Sequence, residues 1–559
     1  MNFLKKYLYF FWRGCHSFLI INLLVTLITT CFFLLAGKLV IGLCFLFFSF
    51  IVLLAECIIY YFQTEKLINR FPSEKEKVVL YNPVTKNTHF ITLDDVKDGD
   101  IIVSYPNERI LVDGVIIDGF TQVEKSFFYG KNKVNLVKEN DLVFSGYINL
   151  KDTIYIQVKK NYFEFFIMRL KKLIKDDINL ILRLKKLHSG LLVSFLITFL
   201  LCFIFLICNS FQRLYFIGII FWIICFEPFS FIHSYLLIRV TYQLQKIGVF
   251  LTKRTSLSDL LNLKNIVFIK TGVLTLSDFS ISKVVTEFEN DFWYYINCAL
   301  YKTDDLTSSC IRRFHKVKID TKKIKNHQIY ENGYSFTFNK KDILVGNYKF
   351  LKDNQILVER VLDTGTILYV AVEEEVIGYL VISDKIDSEL KKHIELIKNL
   401  NYNLVTFSKD DNRLVTAVSR TLGISDSYSD LNSETFDFWL NYYQENHGFF
   451  TMLISVQNND YSVKTKLLMN GFSENNSLKS DIIIMDRDID KVVSLLMYCD
   501  KIRKEISKIL WWSICSKIFL LFSFLFITRK FYIIFILYIL FMIPTIIRVM
   551  KISFWKRGM

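Results

Sequence analysis

Six apolar runs long enough to cross a bilayer, which takes about 20 residues, fall at roughly 17–36, 39–61, 190–208, 214–237, 509–527 and 531–547. They pair into three hairpins and predict a six-helix transmembrane bundle. Lys5, Lys6 and Arg13 precede the first run, and Lys551, Lys556 and Arg557 follow the last. Cations collect on the cytoplasmic side of membrane proteins, so both termini are expected there. The basic, aromatic stretch 1–13 lacks a small-residue cleavage site and reads as an interfacial segment, not a removed signal.

Between the hairpins hang two polar blocks with different periodicities. In the first, about 64–186, short apolar runs alternate with turn signals: Asp100-Ile-Ile-Val-Ser104, 110–117, Leu142-Val-Phe-Ser-Gly146 and Thr153-Ile-Tyr-Ile-Gln-Val158. This predicts a small β domain. In the other, about 240–506, buried-strand runs alternate with helical stretches: Ile266-Val-Phe-Ile269, Tyr379-Leu-Val-Ile382, Leu404-Val-Thr-Phe407, 449–454 and Ile482-Ile-Ile484. A parallel, doubly wound sheet is expected. An insertion of roughly 100 residues between its first two strands carries its own strand signals, Ser335-Phe-Thr-Phe338 and Asp342-Ile-Leu-Val345, and predicts a separate lobe.

Composition supports a membrane protein with large soluble parts. Of 559 residues 52% are hydrophobic, with 53 Phe and only 5 Pro. The net charge of +15 comes without a Lys/Arg block interleaved with aromatics, so it reads as cytoplasmic loop charge and not as a nucleic-acid surface. Eleven cysteines, many inside apolar runs and none in a Cys-x-x-Cys pair, exclude a disulfide framework and an appended soluble metal-binding domain.

The order of blocks resembles a P-type ATPase, and local strings resemble its heavy-metal-transporting branch. Block 64–186 resembles the actuator domain through Asp98-Gly-Asp100, Pro106-Asn-Glu-Arg-Ile-Leu-Val-Asp-Gly-Val115 and Gly146-Tyr-Ile-Asn149. Block 240–506 resembles the phosphorylation domain through Lys270-Thr-Gly272, Leu274-Thr275, Leu422-Gly-Ile424 and Asn459-Asp460, and its insert resembles the nucleotide-binding domain through Leu344-Val-Gly-Asn347. The resemblance implies a multidomain membrane protein: a cytoplasmic segment 1–15, spans 16–62, a β-rich actuator-like domain 63–187, spans 188–238, a haloacid-dehalogenase-like α/β phosphorylation domain in parts 239–278 and 377–506, an inserted α+β nucleotide-binding-like lobe 279–376, spans 507–548 and a tail 549–559.

Carried over one position at a time, the family's chemistry is missing its central groups. Ile269 stands where the resemblance implies the phosphorylated aspartate, and a sec-butyl group cannot form an acyl-phosphate. Val456 replaces a Mg²⁺-ligating aspartate, leaving Asp460 as a remnant. Asp437 stands at the phosphate-anchoring lysine, and its charge repels phosphate. Lys131 replaces the actuator glutamate that positions water. The nucleotide lobe has no His-Pro pair, because no proline occurs between Pro228 and Pro544. Kept are Lys270, Thr271 and Gly272, Gly333 of a glycine pair, and Ser408 with Asp410, read as caps of a helix starting near Asp411 or as an anion site.

In the fourth span the family's ion site reads Cys225-Phe-Glu227. A carboxylate at a span's centre costs about 2.5–3.5 kcal/mol and usually faces a partner. Lys517 is the expected partner, in a fixed ion pair; a cation site including Cys225 and Met542 is the alternative. The sequence thus predicts a pseudo-ATPase with no intact ATP or Mg²⁺ site, embedded in the lipid bilayer of the cell membrane with its soluble domains cytoplasmic. Its expected role is scaffold, partner or sensor for a membrane or metal-handling protein. The alternative is translocation of a transition-metal cation, passive or ATP-driven by other chemistry.

Overall fold

The computed structural model describes residues 18–35, 37–43, 46–47, 65–130, 133–159, 164–178, 216, 218–223, 239–252, 259–276, 278–303, 306–330, 332–361, 363, 365–386, 389–457, 461–470, 480–527 and 531–553. They fall into two compact units, residues 1–261, 472–486 and 494–559 in one, 262–471 and 487–493 in the other.

In the first unit the period-two pattern becomes two sheets. Six strands lie in the order Thr88–Thr92, Lys77–Tyr81, Ile101–Ser104, Ile154–Val158, Gly114–Asp118 and Leu142–Val143, and three in the order Val134–Val137, Thr121–Glu124 and Ile148–Asn149. Ile154, Ile156 and Val158 are buried while the intervening Tyr155 and Gln157 are not, as alternation across a strand demands. The expected strand at 110–117 starts only at Gly114. Its predecessor Asp113 is buried and accepts hydrogen bonds from the Ser145 amide (2.8 Å), the Ser145 hydroxyl (2.7 Å) and the Phe166 amide (2.7 Å). A Cβ on Gly114 would lie 2.2 Å from the Gln157 carbonyl oxygen. Val-Asp-Gly is therefore a packing and anchoring device in this fold.

Of the six apolar runs, the described helices Phe18–Leu35, Ile489–Phe522 and Phe531–Ser553 hold the first, fifth and sixth. The runs 39–61, 190–208 and 214–237 lie largely outside the described residues. Among the described residues no helix is long and apolar enough to cross a membrane. Val25, Phe33, Leu520 and Ile534 of these helices still gather in one cluster with Phe524, just past the second of them, and with Trp222 of the fourth run.

The first unit also holds a strand pair that departs from expectation. Ile482–Ile484 pairs antiparallel with Val249–Leu251. Three consecutive buried isoleucines carry no information about strand direction.

In the second unit the strands Asp426–Tyr428, Asn403–Phe407, Asn265–Ile269, Thr451–Ser455 and Thr465–Met469 lie side by side, all parallel. Asn265–Ile269 is central, and burial on both faces explains its unbroken apolar run. The insert is a six-stranded antiparallel sheet, ordered Phe279–Thr286, Glu375–Asp384, Thr366–Val372, Lys341–Gly346, Gly333–Phe338 and Ile324–Tyr330. Phe292, Trp293 and Ile296 of the helix Glu289–Ala299 pack in its core with Phe336 and Val370. Tyr379-Leu-Val-Ile382 therefore belongs to the lobe and not to the parallel sheet. A four-residue apolar run has the same appearance in either setting, and only its partner, Phe279–Thr286, decides.

Candidate functional site

Five parallel strands end on one side, where open α/β sheets place their sites. There a cleft of about 620 Å³ is lined by Ile269, Lys270, Asp384, Ser408, Asp410 and Val456, among others. The fold brings these together, although 187 residues separate the first from the last.

Ile269 is the last residue of its strand and lies half-buried against the cluster of Val267, Phe407, Phe436, Tyr443 and Tyr461. The chain then turns through Thr271 and Gly272, the latter at φ 83°, a left-handed conformation that suits glycine. The turn folds Lys270 inward to 6% exposure, where its ammonium pairs with the Asp410 carboxylate. That carboxylate also accepts from the Ser408 hydroxyl at 3.0 Å, while the Asp410 amide donates back to the same hydroxyl at 3.1 Å. The helix cap is Asp411, which accepts from the Arg413 amide at 2.9 Å. Ser408 and Asp410 are thus not the caps expected of them; the N-cap position falls one residue later, leaving Asp410 free to turn toward Lys270.

Val456 also lines the cleft. Beside it Phe436 and Tyr461 stack with ring centroids 4.0 Å apart, so aromatic surface fills part of the space. Asp437 sits on the helix Ser433–His447 and accepts from the Ser462 amide at 3.1 Å, holding the chain after Thr451–Ser455 instead of pointing at a phosphate. Gly333 lies in the lobe opposite Gly346 in the strand register. A Cβ on either would stand 2.4 Å from the Phe350 ring, so the packing of that ring requires glycine at both positions. Lys517 is half-buried on Ile489–Phe522 and Met542 lies on Phe531–Ser553. Lys131, Cys225, Glu227 and Asp460 lie outside the described residues. Among the described residues no group of three or more His, Cys, Asp or Glu is placed to hold a metal ion.

Sequence reasoning missed Asp384. It closes the strand Glu375–Asp384 at the cleft, and its oxygens are enclosed with no well-aligned partner, although the Thr275 hydroxyl and the Asp278 amide sit beside them. Burial pushes its pKa above the ordinary carboxylate range; Lys270 pulls it down and Asp410 pushes it up. The available signal is a carboxylate just past the end of an apolar run, and it points to the cleft only once that run is placed in the lobe. The raised pKa means the folded state holds a proton that the unfolded chain has released, so stability is greatest at low pH and falls as pH rises through the folded pKa. Asp384→Asn mimics the protonated form. It is expected to raise the thermal midpoint of the full chain at pH 7, and the gain should vanish below about pH 4, where the unfolded carboxyl is also protonated. A midpoint lowered at pH 7 would contradict this.

Residues 74–175 match the P-type ATPase actuator domain family. The chain is 26% identical over 370 residues to a cadmium, zinc and cobalt-transporting ATPase of Bacillus subtilis, covering 63% of this chain and 52% of that protein. It is 24% identical over 451 residues to a protein of the same description from Helicobacter pylori, covering 75% and 64%. A copper-exporting P-type ATPase of Staphylococcus epidermidis matches at 24% over 358 residues, 60% and 44%. The chain thus spans between 44% and 64% of the length of these relatives. Among solved structures it is similar to a zinc-transporting PIB-type ATPase in its E2.Pi state, with TM-score 0.47 and 16% identity over 98% of this chain and 92% of that one. Residues 74–175 thus match the P-type ATPase actuator domain, and over a longer stretch the chain is similar in sequence to heavy-metal P-type ATPases.

Proposed function

We propose that this protein is a membrane-embedded heavy-metal P-type ATPase relative that forms no phosphoenzyme and serves as a scaffold, partner or sensor in metal handling. One observation carries the reading. At the end of the central strand the side chain is Ile269, and the cleft's buried lysine, Lys270, is already paired with Asp410, while Lys409 and Arg487 also line the cleft. A phosphoryl acceptor needs a carboxylate at that point and cations free to neutralise the transferred group. Here an alkyl group occupies the first position, and an internal ion pair engages the buried lysine beside it. Five separate substitutions or losses, at Ile269, Asp437, Val456, Lys131 and the His-Pro pair, serve five separate steps. Groups that act as a unit lose about 10⁶-fold in rate when one key member goes.

Membrane insertion is supported by the six apolar runs and by the transport functions named for the relatives. Those names also favour a second reading, movement of a heavy-metal cation past Cys225, Glu227 and Lys517 without phosphorylation. The primary test is incubation of the full chain with γ-phosphate-labelled ATP and Mg²⁺, with cadmium, zinc, cobalt or copper added in turn. No acid-stable, hydroxylamine-sensitive label is expected in any of them. A labelled band under any one metal overturns the proposal.

A further inference from the structure

Away from the cleft, the first unit gathers five cations around two aromatic rings. Around Tyr242 lie the Lys66 ammonium at 5.7 Å from the ring centroid, the Arg70 guanidinium at 5.6 Å, the Arg239 guanidinium at 5.6 Å and the Lys246 ammonium at 4.9 Å. Arg70 also covers Phe127 at 5.4 Å, and Arg109 covers the same ring at 4.9 Å. Arg109 donates through Nη2 to the Arg70 carbonyl at 3.0 Å. No ion pair joins any of the five to a carboxylate among the described residues. The nearest acid felt by Arg109 is Glu76, whose carboxylate accepts from the Ser73 amide at 2.7 Å.

Two observations make this more than a solvated basic face. Arg70 Nη1 and Arg239 Nε are enclosed and have no hydrogen-bond acceptor. An enclosed donor left unmade costs about 1–3 kcal/mol, and here two guanidinium groups close to the same Tyr242 ring carry that cost. Burial also lowers the pKa of Arg70 and Arg109, with Arg70 adding to the effect at Arg109 through like-charge repulsion. Two aromatic faces offset part of this through cation–π attraction. They supply no acceptor oxygens, so the donors still lack partners.

We propose that Lys66, Arg70, Arg109, Arg239 and Lys246 form a binding site for a phosphate group. Phosphate matches the set better than a carboxylate does: its tetrahedral oxygens can meet a bidentate guanidinium fork and a lysine at once, and its charge answers more than one cation. Two sources share this chemistry, the headgroup of an anionic phospholipid and a soluble phosphate. Residues 65–70 and 239–246 follow directly in sequence on the apolar runs 39–61 and 214–237. That placement, which rests on the membrane reading above, favours the lipid, because juxtamembrane cations meet anionic headgroups.

The experiment uses the full chain in a non-ionic detergent. It is titrated in mixed micelles with phosphatidylglycerol against phosphatidylcholine, and separately with inorganic phosphate and pyrophosphate. Bound ligand is counted by native mass spectrometry, and protection of residues 66–70 and 239–246 is followed by hydrogen exchange. Saturable binding of phosphatidylglycerol over phosphatidylcholine assigns the site to a lipid; saturable binding of pyrophosphate or phosphate in its place assigns it to a soluble ligand and leaves the site standing. Lys66 and Lys246 are exposed, so their removal should leave the fold intact. The Lys66→Gln/Lys246→Gln variant should bind about thirtyfold more weakly, and Lys66→Arg/Lys246→Arg should bind as the natural chain does. Absence of saturable binding to all four probes overturns the proposal. So does equal affinity for phosphatidylcholine and phosphatidylglycerol without phosphate or pyrophosphate binding, or affinity unchanged in the double glutamine variant. Phosphoenzyme labelling is indifferent to every one of these outcomes, so the site and the functional reading fail separately.

Discussion

Lys270→Met is expected to destabilise the parallel-sheet unit by about 3 kcal/mol, because removing one partner of a buried ion pair strands the other. Methionine keeps most of the unbranched stem, so little packing is lost. What goes is the ammonium against Asp410. The Lys270 side chain is 8% exposed and that of Asp410 23%, so water screens the remaining carboxylate only in part, which places the expected loss at the low end of the usual range. Asp410 keeps its bond from the Ser408 hydroxyl, but Asp384 stands nearby with its own enclosed carboxyl. Two acids would then share a cleft without its buried cation. Lys270→Met/Asp410→Asn should recover most of the loss. The Arg360 to Asp411 pair provides the comparison: its side chains are 43% and 38% exposed, and Arg360→Met should cost no more than about 1 kcal/mol. Hydrogen exchange at Asn265–Ile269 and Asn403–Phe407 in the full chain reads the difference. A loss under about 0.5 kcal/mol in Lys270→Met would show the pair to be screened and ornamental to the fold.

How much of this is legible in the sequence follows from range. Ile266-Val-Phe-Ile269 and Leu404-Val-Thr-Phe407 read as central strands because burial on both faces leaves an uninterrupted apolar run, and the period-two residues of Ile154–Val158 read as a strand because only one face is buried. Tyr379-Leu-Val-Ile382 has the same local appearance and a different sheet, since partner choice is settled by residues about a hundred positions away. The cleft shows the same division. Ile269, Val456 and Asp410 stand out by comparison with a family pattern, and all three line it. The Lys270 to Asp410 pair joins residues 140 apart and has no local signature. Asp437 is legible as an acid in place of a lysine, yet its job, accepting from the Ser462 amide, depends on where the strand Thr451–Ser455 leaves the sheet.

Ile269→Asp should fail to label with phosphate from ATP and should destabilise the unit by about 2 kcal/mol. The restored carboxylate would replace apolar surface packed beside Val267, Phe436 and Tyr461. Half-burial of an isoleucine contributes on the order of 1 kcal/mol, and the new acid must be partly desolvated there. It would also be the third carboxylate near one lysine, after Asp384 and Asp410, so repulsion adds to the cost. Chemistry fares no better. Phosphoryl transfer needs a divalent cation to offset the charge of the transferring group, and Val456 offers it no ligand while the Phe436 to Tyr461 stack occupies adjoining space. The measurement is a pair run on one preparation: acid-stable label after incubation with Mg²⁺ and ATP, and exchange protection of the Asn265–Ile269 strand. An Ile269→Asp chain that labels would mean that the surrounding cleft still works as a phosphoryl-transfer site and that one residue alone had silenced it. A chain that stays unlabelled yet gains stability would instead show the cleft still holding a cation able to receive the aspartate, which would remove the internal ion pair as the reason for silence.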